Sequence, residues 1–147
     1  MKKATRALVV GVVALACIAA AAQGSTSRRA THPRAGEVVA NVSIPAGTGT
    51  FAVGEGAVWS VSDTGPVLTR IDPDRNAVVA SIKLKLEHAC PAEPPGCGDA
   101  AAGNGAVWVT HLDDDTVSRI DPGTNAVTAT IRVGSRPLGI AVSEGAV

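Results

Sequence analysis

The sequence predicts an all-β fold built from repeated four-stranded antiparallel sheets. Three observations support this prediction: one segment occurs twice in register, the same turn signals bound it in both copies, and the runs between the turns are rich in Ala, Val and Ile. Val and Ile favour pleated strands. No segment places apolar residues at helical spacing, so a helical solenoid is excluded.

The repeat is clearest in two segments that share the patterns GxGAVW and IDPxxNAV. Trp59 and Trp108 occupy the same position in the two copies, 49 residues apart, and both are predicted to lie in the core between repeats. A third copy opens at residues 145–147, which match residues 105–107 at an offset of 40. The basic period is therefore 40, and the interval of 49 contains an insertion of nine residues.

Two recurring turns divide each copy into short strands. Gly56 and Gly105 supply the positive φ that a tight hairpin turn needs. In the IDP turns, Asp72 and Asp121 are placed to accept hydrogen bonds from backbone N–H groups two residues further on. All four residues are therefore predicted to be structural.

The strands of each copy are apolar or small on both faces, which is typical of a sheet that is buried on both sides. Four-stranded sheets of about 40 residues that cover one another are the blades of a β-propeller. The sequence therefore predicts a β-propeller fragment of about two and a half blades whose ring is not closed, since complete propellers have about 4–8 blades. A β-sandwich is the alternative, but it would not repeat its turns in register.

The unit GxGAVWVT…TVSRIDPxTNAVxATIxVGxxPxGIAV resembles the YVTN-type propeller repeat of exported bacterial proteins, and it is similar to the repeats of streptogramin (virginiamycin B) lyase-like propellers. The resemblance covers residues 37–147 and implies a ring of about seven blades. It also implies that residues 38–44, which match residues 78–84 at an offset of 40, complete the last blade as its fourth strand. Such a lyase uses a His base and a divalent metal, and no residue of this chain matches those positions individually.

The start of the chain has the features of an export signal. Lys2, Lys3 and Arg6 form a positively charged beginning, residues 7–22 are almost uniformly apolar, and small residues stand where a signal peptidase would cut. An uncleaved membrane anchor is the alternative, but the run is shorter than the roughly 20 residues that spanning requires. Lipidation at Cys17 is a further alternative, because ALAC partly resembles a bacterial lipobox.

The chain is therefore expected to contain a signal peptide, a flexible linker and a partial propeller, at residues 1–22, 23–36 and 37–147. Within the partial propeller we expect a strand at 37–45, a blade at 50–84, an insertion at 85–99, a second blade at 100–134 and the start of a further blade at 138–147. The signal predicts an exported protein, either extracellular or in the cell envelope or periplasm, without a membrane span once the signal is cleaved.

Two cysteines, Cys90 and Cys97, fall in the insertion. An exported chain with an even pair at short spacing suggests a disulfide. A metal site is the alternative, but it normally needs four ligands, and the nearby His88 brings the number to only three. The disulfide is the favoured interpretation.

Charge and composition exclude some classes of partner. The formal net charge is zero, so long-range attraction to nucleic acid has no support. Aromatic residues make up only 2% of the chain, which leaves no stacking platform for single-stranded nucleic acid. We therefore expect no nucleic-acid partner, and the sequence indicates no cofactor.

Candidate ligand residues lie in loops that share one side of the predicted blades. The loops between second and third strands lie on the same side as the connections between blades, and loops carry function more often than strands do. The densest polar group on this side comprises His111, Asp113, Asp114 and Asp115, with Arg136 within reach of the same rim. His and carboxylates serve cation binding and proton transfer, but HLDDDT lacks the spacing of a calcium loop, which favours a solvated turn.

The function that fits these features is an exported, non-enzymatic β-propeller repeat protein that acts as a binding or scaffolding module. Its expected partner is a small molecule or a protein on one loop face. The alternative is the N-terminal part of a streptogramin-lyase-like enzyme whose catalytic blades are missing from this sequence. No G-x-S-x-G nucleophile motif is present, so no residue is predicted to be catalytic.

Overall fold

A computed structural model describes residues 37–44, 46–47, 49–88, 90 and 98–147. The predicted signal peptide, the linker, Cys17 and Cys97 lie outside these residues, and what was predicted for them stays a prediction. Among the described residues, no helix has the length and apolar character needed to cross a membrane.

The described chain is all-β, as the sequence predicts, and its eight strands form two four-stranded antiparallel sheets. Blade 1 contains strands β1 to β4, at Phe51–Gly54, Ala57–Val61, Val67–Asp72 and Ala77–Lys83. Blade 2 contains strands β5 to β8, at Ala100–Gly103, Ala106–His111, Thr116–Asp121 and Ala126–Arg132. In each blade the strands are hydrogen-bonded in the order in which they occur along the chain.

The two blades repeat each other down to their irregularities. Trp59 pairs with Arg70 across β2 and β3, and Trp108 pairs with Arg119 across β6 and β7. Directly after each arginine the register with the last strand shifts, in both blades at the same place. A bulge increases local twist, so both blades are curved at the equivalent point. The sequence repeat is thus a repeat of three-dimensional geometry.

In the hairpin turn at the start of each blade, the residue before the predicted glycine is left-handed as well. Gly56 and Gly105 both have φ of 70°, and the preceding Glu55 and Asn104 are also left-handed, with φ of 52° and 54°. A type I′ turn needs positive φ at both central residues, which explains the Gly. Glu55 tolerates this backbone while its carboxylate accepts a hydrogen bond from Gly105 N–H of blade 2, at 2.9 Å.

A shared hydrophobic core joins the blades. Trp59 and Val61 alternate along β2 on the side that faces blade 2, and Val107 and Val109 alternate along β6 on the side that faces blade 1. All four belong to one buried cluster, in which Trp59 is 0% exposed. Burial of such side chains is the main force that holds the blades together.

Arg70 links the blades at the edge of this core. Its guanidinium lies over the Trp59 ring, 5.2 Å from the ring centroid, and Nη1 donates to Pro122 O at 2.7 Å and to Asn125 Oδ1 at 3.1 Å. The equivalent Arg119 instead donates to Thr128 Oγ1 of its own blade, at 3.1 Å. The same repeat position therefore makes a bond between blades in one case and a bond within a blade in the other.

This difference makes Arg119 a matched control for Arg70. We expect Arg70→Met to lower the free energy of unfolding by about 2 kcal/mol, because charge-assisted hydrogen bonds to blade 2 are lost. Arg119→Met should cost less than half as much. Urea unfolding of the two variants measures the difference, and equal losses would show that the bond between blades contributes nothing.

Two predicted strands differ in the structure. Residues 37–44 form no strand, because both described blades already have a fourth strand and offer no third-strand edge for pairing. In the predicted start of a further blade at 138–147, the pairing is limited to an isolated bridge between Ser143 and Ala146. Asn104 Nδ2 donates to Ser143 O at 2.6 Å, which holds this turn against blade 2. Glu55 holds blade 2 against blade 1 in a similar way, through Gly105 N–H.

Candidate functional site

Antiparallel hairpins place alternate connections on opposite sides of each blade. One side carries the β2–β3 and β6–β7 loops together with the connections that follow β4 and β8. We call this side the loop face, and its described residues are 62–66, 85–88, 90, 98–99, 112–115 and 134–137. The other side carries the Gly-x-Gly and Asp-Pro turns. In those Asp-Pro turns Asp72 Oδ1 and Asp121 Oδ1 each accept two backbone N–H hydrogen bonds.

Asp114 fastens the insertion to blade 2. Its side chain is only 6% exposed, and its carboxylate accepts hydrogen bonds from Glu87 N–H at 2.8 Å, His88 N–H at 2.9 Å and His88 Nδ1 at 2.6 Å. Burial alone would raise the pKa of Asp114, but these hydrogen bonds outweigh it and lower the pKa. The hydrogen bond to Asp114 in turn raises the pKa of His88.

Arg136 holds the two neighbouring aspartates. Its Nη1 donates to Asp113 Oδ1 at 2.9 Å, and its backbone N–H donates to Asp115 Oδ1 at 2.9 Å. Both Asp115 and Arg136 have positive φ, 55° and 51°. The structure therefore brings Arg136 together with Asp113 and Asp115, as a bond between the β6–β7 loop and the segment after β8.

His111 does not join this group. It is the last residue of β6 and is 1% exposed, and its Nε2 is hydrogen-bonded to Ser118 Oγ at 2.8 Å inside the blade. Among the described residues, Nδ1 of His111 has no hydrogen-bond partner. Burial lowers the pKa of His111, and the charge of Asp114 opposes this effect. The sequence interpretation placed this residue in the loop, whereas the structure places it in the interior.

The candidate residues consequently form two separate polar contacts and one interior histidine. In the part of the chain that the structure describes, no three His, Cys, Asp or Glu side chains are grouped so that they could hold a metal ion. The carboxylates that the sequence singled out are used for loop-to-loop hydrogen bonds instead. Their role as ligand residues stays a prediction.

A cleft opens on the loop face where the inner strands begin. It has a volume of about 250 Å³, and its walls are Thr50, Gly98, Asp99, Leu112, Leu138 and Gly139. Asp99 is fixed there: its N–H donates to Thr110 Oγ1 at 2.8 Å, and its Oδ1 accepts from Ala100 N–H at 2.8 Å. Thr50 Oγ1 donates to Gly98 O at 3.1 Å. The cleft thus combines a carboxylate, a hydroxyl and carbonyl groups with two leucine side chains.

Sequence reasoning missed Thr50 and Asp99, although the repeat contains the signal that would find them. Thr50 and Asp99 are 49 residues apart, and Asp99 and Gly139 are 40 apart, so the three residues hold the same position in the three copies. Thr50 directly precedes β1, and Asp99 directly precedes β5. The first strand of each blade is its inner strand. When blades pack side by side, the residues at which these strands begin come close together. Equivalent positions with different side chains at such a point are candidates for ligand recognition.

A second groove runs along the outer side of blade 1. Its volume is about 600 Å³, and it is lined by Pro66, Lys83, Leu84, Lys85, Leu86, Glu87 and His88. The insertion forms one of its walls, because Asp114 holds Glu87 and His88 in place. Cys90 is half-buried and disulfide-bonded, whereas Cys97 lies outside the described residues, so its pairing with Cys90 stays a prediction.

Two repeated four-stranded antiparallel sheets, packed through one hydrophobic core, define a propeller-type fold. Solved structures agree: the chain is similar to the β-propeller protein AztD from Citrobacter koseri, with a TM-score of 0.59 and 17% identity over 68% of this chain and 27% of that chain. It is also similar to hydrazine synthase of Kuenenia stuttgartiensis, with a TM-score of 0.54 and 18% identity over 67% of this chain and 26% of that chain.

The chain spans about a quarter of the length of these two solved structures. At this identity the likeness establishes the fold and nothing about activity. No protein-family model and no curated protein sequence matches the chain. The narrower resemblance to YVTN-type and streptogramin-lyase-like repeats therefore stays a prediction.

Proposed function

We propose that this chain belongs to an exported, non-enzymatic propeller protein whose loop face binds a small molecule or another protein. The cleft between Asp99, Leu112 and Leu138 is the observation that carries the proposal. Ligand sites in proteins are commonly concave, mostly apolar and provided with a few fixed polar groups. This cleft has all three properties.

The loops around the cleft are fixed in place by side chains. Asp114 holds the insertion, and Arg136 holds the segment that leads to Leu138. A prearranged surface loses less conformational entropy on binding than a mobile one does. These contacts therefore support a role in recognition for the loop face.

The enzymatic alternative would need a base that can reach a substrate. His111 is the histidine nearest in sequence to the cleft residue Leu112, but it is buried and its Nε2 is engaged by Ser118. A general base must lie within hydrogen-bonding distance of the proton that it removes. His111 is therefore not placed to act as the histidine base that a streptogramin-type lyase uses.

Site-specific photo-crosslinking in the native host tests the proposal. A photoreactive amino acid at Leu138, which is exposed on the rim of the cleft, should give specific adducts in the envelope or extracellular fraction. The same amino acid at Asp74 or Gly123, in exposed turns of the opposite face, should give few or none. An unprocessed chain in the cytosolic fraction would contradict export, and equal labelling from both faces would contradict a binding role for the loop face.

A further inference from the structure

The interface between the blades contains a titratable side chain at its loop-face end. His111 follows Val107 and Val109 at alternate positions of β6, and those two valines belong to the core cluster shared with blade 1. Alternate residues of a strand point to the same side of the sheet. His111 therefore faces blade 1, at the end of β6 that borders the loop face.

The two copies of the repeat differ at this position. Blade 1 has Ser62 at the equivalent position, 49 residues earlier. The Ser62 hydroxyl donates to Ala46 O and accepts from Thr64 N–H at 3.1 Å, so its hydrogen-bonding capacity is used locally. His111 satisfies only Nε2, through Ser118, and leaves Nδ1 without a partner among the described residues.

We propose that His111 makes the joint between blades 1 and 2 acid-sensitive, so that its protonation loosens the loop-face end of the joint. In the neutral form, a bare ring nitrogen next to apolar groups has a modest energetic cost. In the cationic form, both ring nitrogens are donors, and a charge lies in an interface that provides an acceptor for one of them only. The proton therefore favours the open form of the joint.

The charged groups around His111 do not cancel this effect. On the blade 1 side, the shared core includes Val61 at the end of β2 and Leu84 directly after β4, and Leu86 packs against that core; none of these side chains titrates. On the loop side, Asp114 is the carboxylate whose charge acts on His111. That carboxylate is already occupied by three hydrogen bonds from the insertion.

The remaining nearby charges are engaged with one another. Asp113 and Asp115 are held by Arg136. Glu87 and His88 lie on the insertion, and Glu87 and Asp113 contribute to raising the pKa of His88. A protonated His111 would have to compete with the His88 ring for Asp114.

The pKa values of the two histidines are shifted in opposite directions. The pKa of His88 is raised in the folded protein, so its contribution to stability is present at low pH and is lost as the pH rises through its folded value. The pKa of His111 is lowered, so the unfolded chain takes up its proton first, and stability falls as the pH drops through the ordinary histidine range. Acidification thus first strengthens the contact of the insertion with Asp114 and then opens the joint.

Trp59 reports on whether the two blades remain packed together, because it is buried in the core that they share. The chain has two tryptophans, so the full chain with Trp108→Phe contains Trp59 alone, fully buried between the blades. We expect its fluorescence to shift to longer wavelength on acidification. In His111→Gln, which cannot take up the proton, the midpoint of this transition should move down by about one pH unit or more. His88→Gln should keep the acid transition.

A measurement on the unsubstituted chain covers the case in which His111→Gln fails to fold. The NMR resonances of the His111 ring should titrate below the ordinary histidine pKa and in step with the Trp59 change. An acid transition of Trp59 that is the same in His111→Gln as in the parent would overturn the proposal. So would a His111 ring that titrates while Trp59 fluorescence stays constant.

Discussion

Trp59→Ala should lower the free energy of unfolding by about 3–5 kcal/mol, which is the usual range for removing a large buried aromatic side chain. Trp59 is fully buried in the core between the blades, its Nε1 donates to Gly54 O at 3.1 Å, and Arg70 lies over its ring. Its removal leaves a cavity at the centre of the interface and takes away the surface on which Arg70 packs. Guanidinium or urea unfolding gives the loss directly.

Trp108→Ala is the matched control for this experiment. Trp108 holds the same repeat position and has Arg119 over its ring at 5.7 Å, but it is only partly buried and lines an open groove beside Ile140 and Val147. Its truncation should cost less than half as much as truncation of Trp59. Equal losses would show that local packing within a blade, and not contact between the blades, accounts for the effect.

Gly98→Ala is expected to destabilise the chain by about 3 kcal/mol or more and to lower Tm by over about 10 °C. Gly98 has φ of 145°, and a Cβ built there would lie 1.7 Å from the carbonyl oxygen of Thr110. That oxygen belongs to the backbone of β6, so it cannot move aside without disturbing the strand. Because Gly98 also lines the loop-face cleft, we expect crosslinking from Leu138 to fall in parallel.

Gly65→Ala provides the control for the glycine experiment. Gly65 lies in the β2–β3 loop, where an added Cβ meets nothing within 4 Å and φ is not in the left-handed region. We expect a change within about 0.5 kcal/mol, as for an ordinary surface substitution. If thermal melts show that Gly98→Ala lowers Tm no more than Gly65→Ala does, the close approach of Gly98 to the Thr110 carbonyl is not needed for folding.

The sequence predicts the fold well because the fold is a repeat. Matching turn residues at Gly56 and Gly105 indicate where strands begin, and matching tryptophans indicate which side of a strand is buried. The left-handed backbone at Glu55 was not predicted, because Glu carries no local preference for it. Its hydrogen bond to blade 2 compensates, and that bond depends on packing between residues far apart in sequence.

The candidate site was predicted less well. The sequence predicts one polar loop at HLDDDT, whereas β6 continues through His111 and turns that side chain inward. The alternation of Val107, Val109 and His111 carries this signal, although a polar residue at the end of a strand is equally compatible with a loop. The cleft could not be predicted from local pattern, since Thr50, Asp99 and Leu138 meet only once the blades are packed.

The hydrogen bonds from the insertion to Asp114 have a consequence for how such repeats diversify. The insertion before blade 2 is held because blade 2 supplies an acceptor, and a single carboxylate accepts from two successive backbone N–H groups. Blade 1 has Gly65 at the position equivalent to Asp114. Among related blades we therefore expect an insertion before the blade and an acidic residue at this position to occur together. An insertion without the acidic residue would lack its acceptor, and the acidic residue without an insertion would lack its donors.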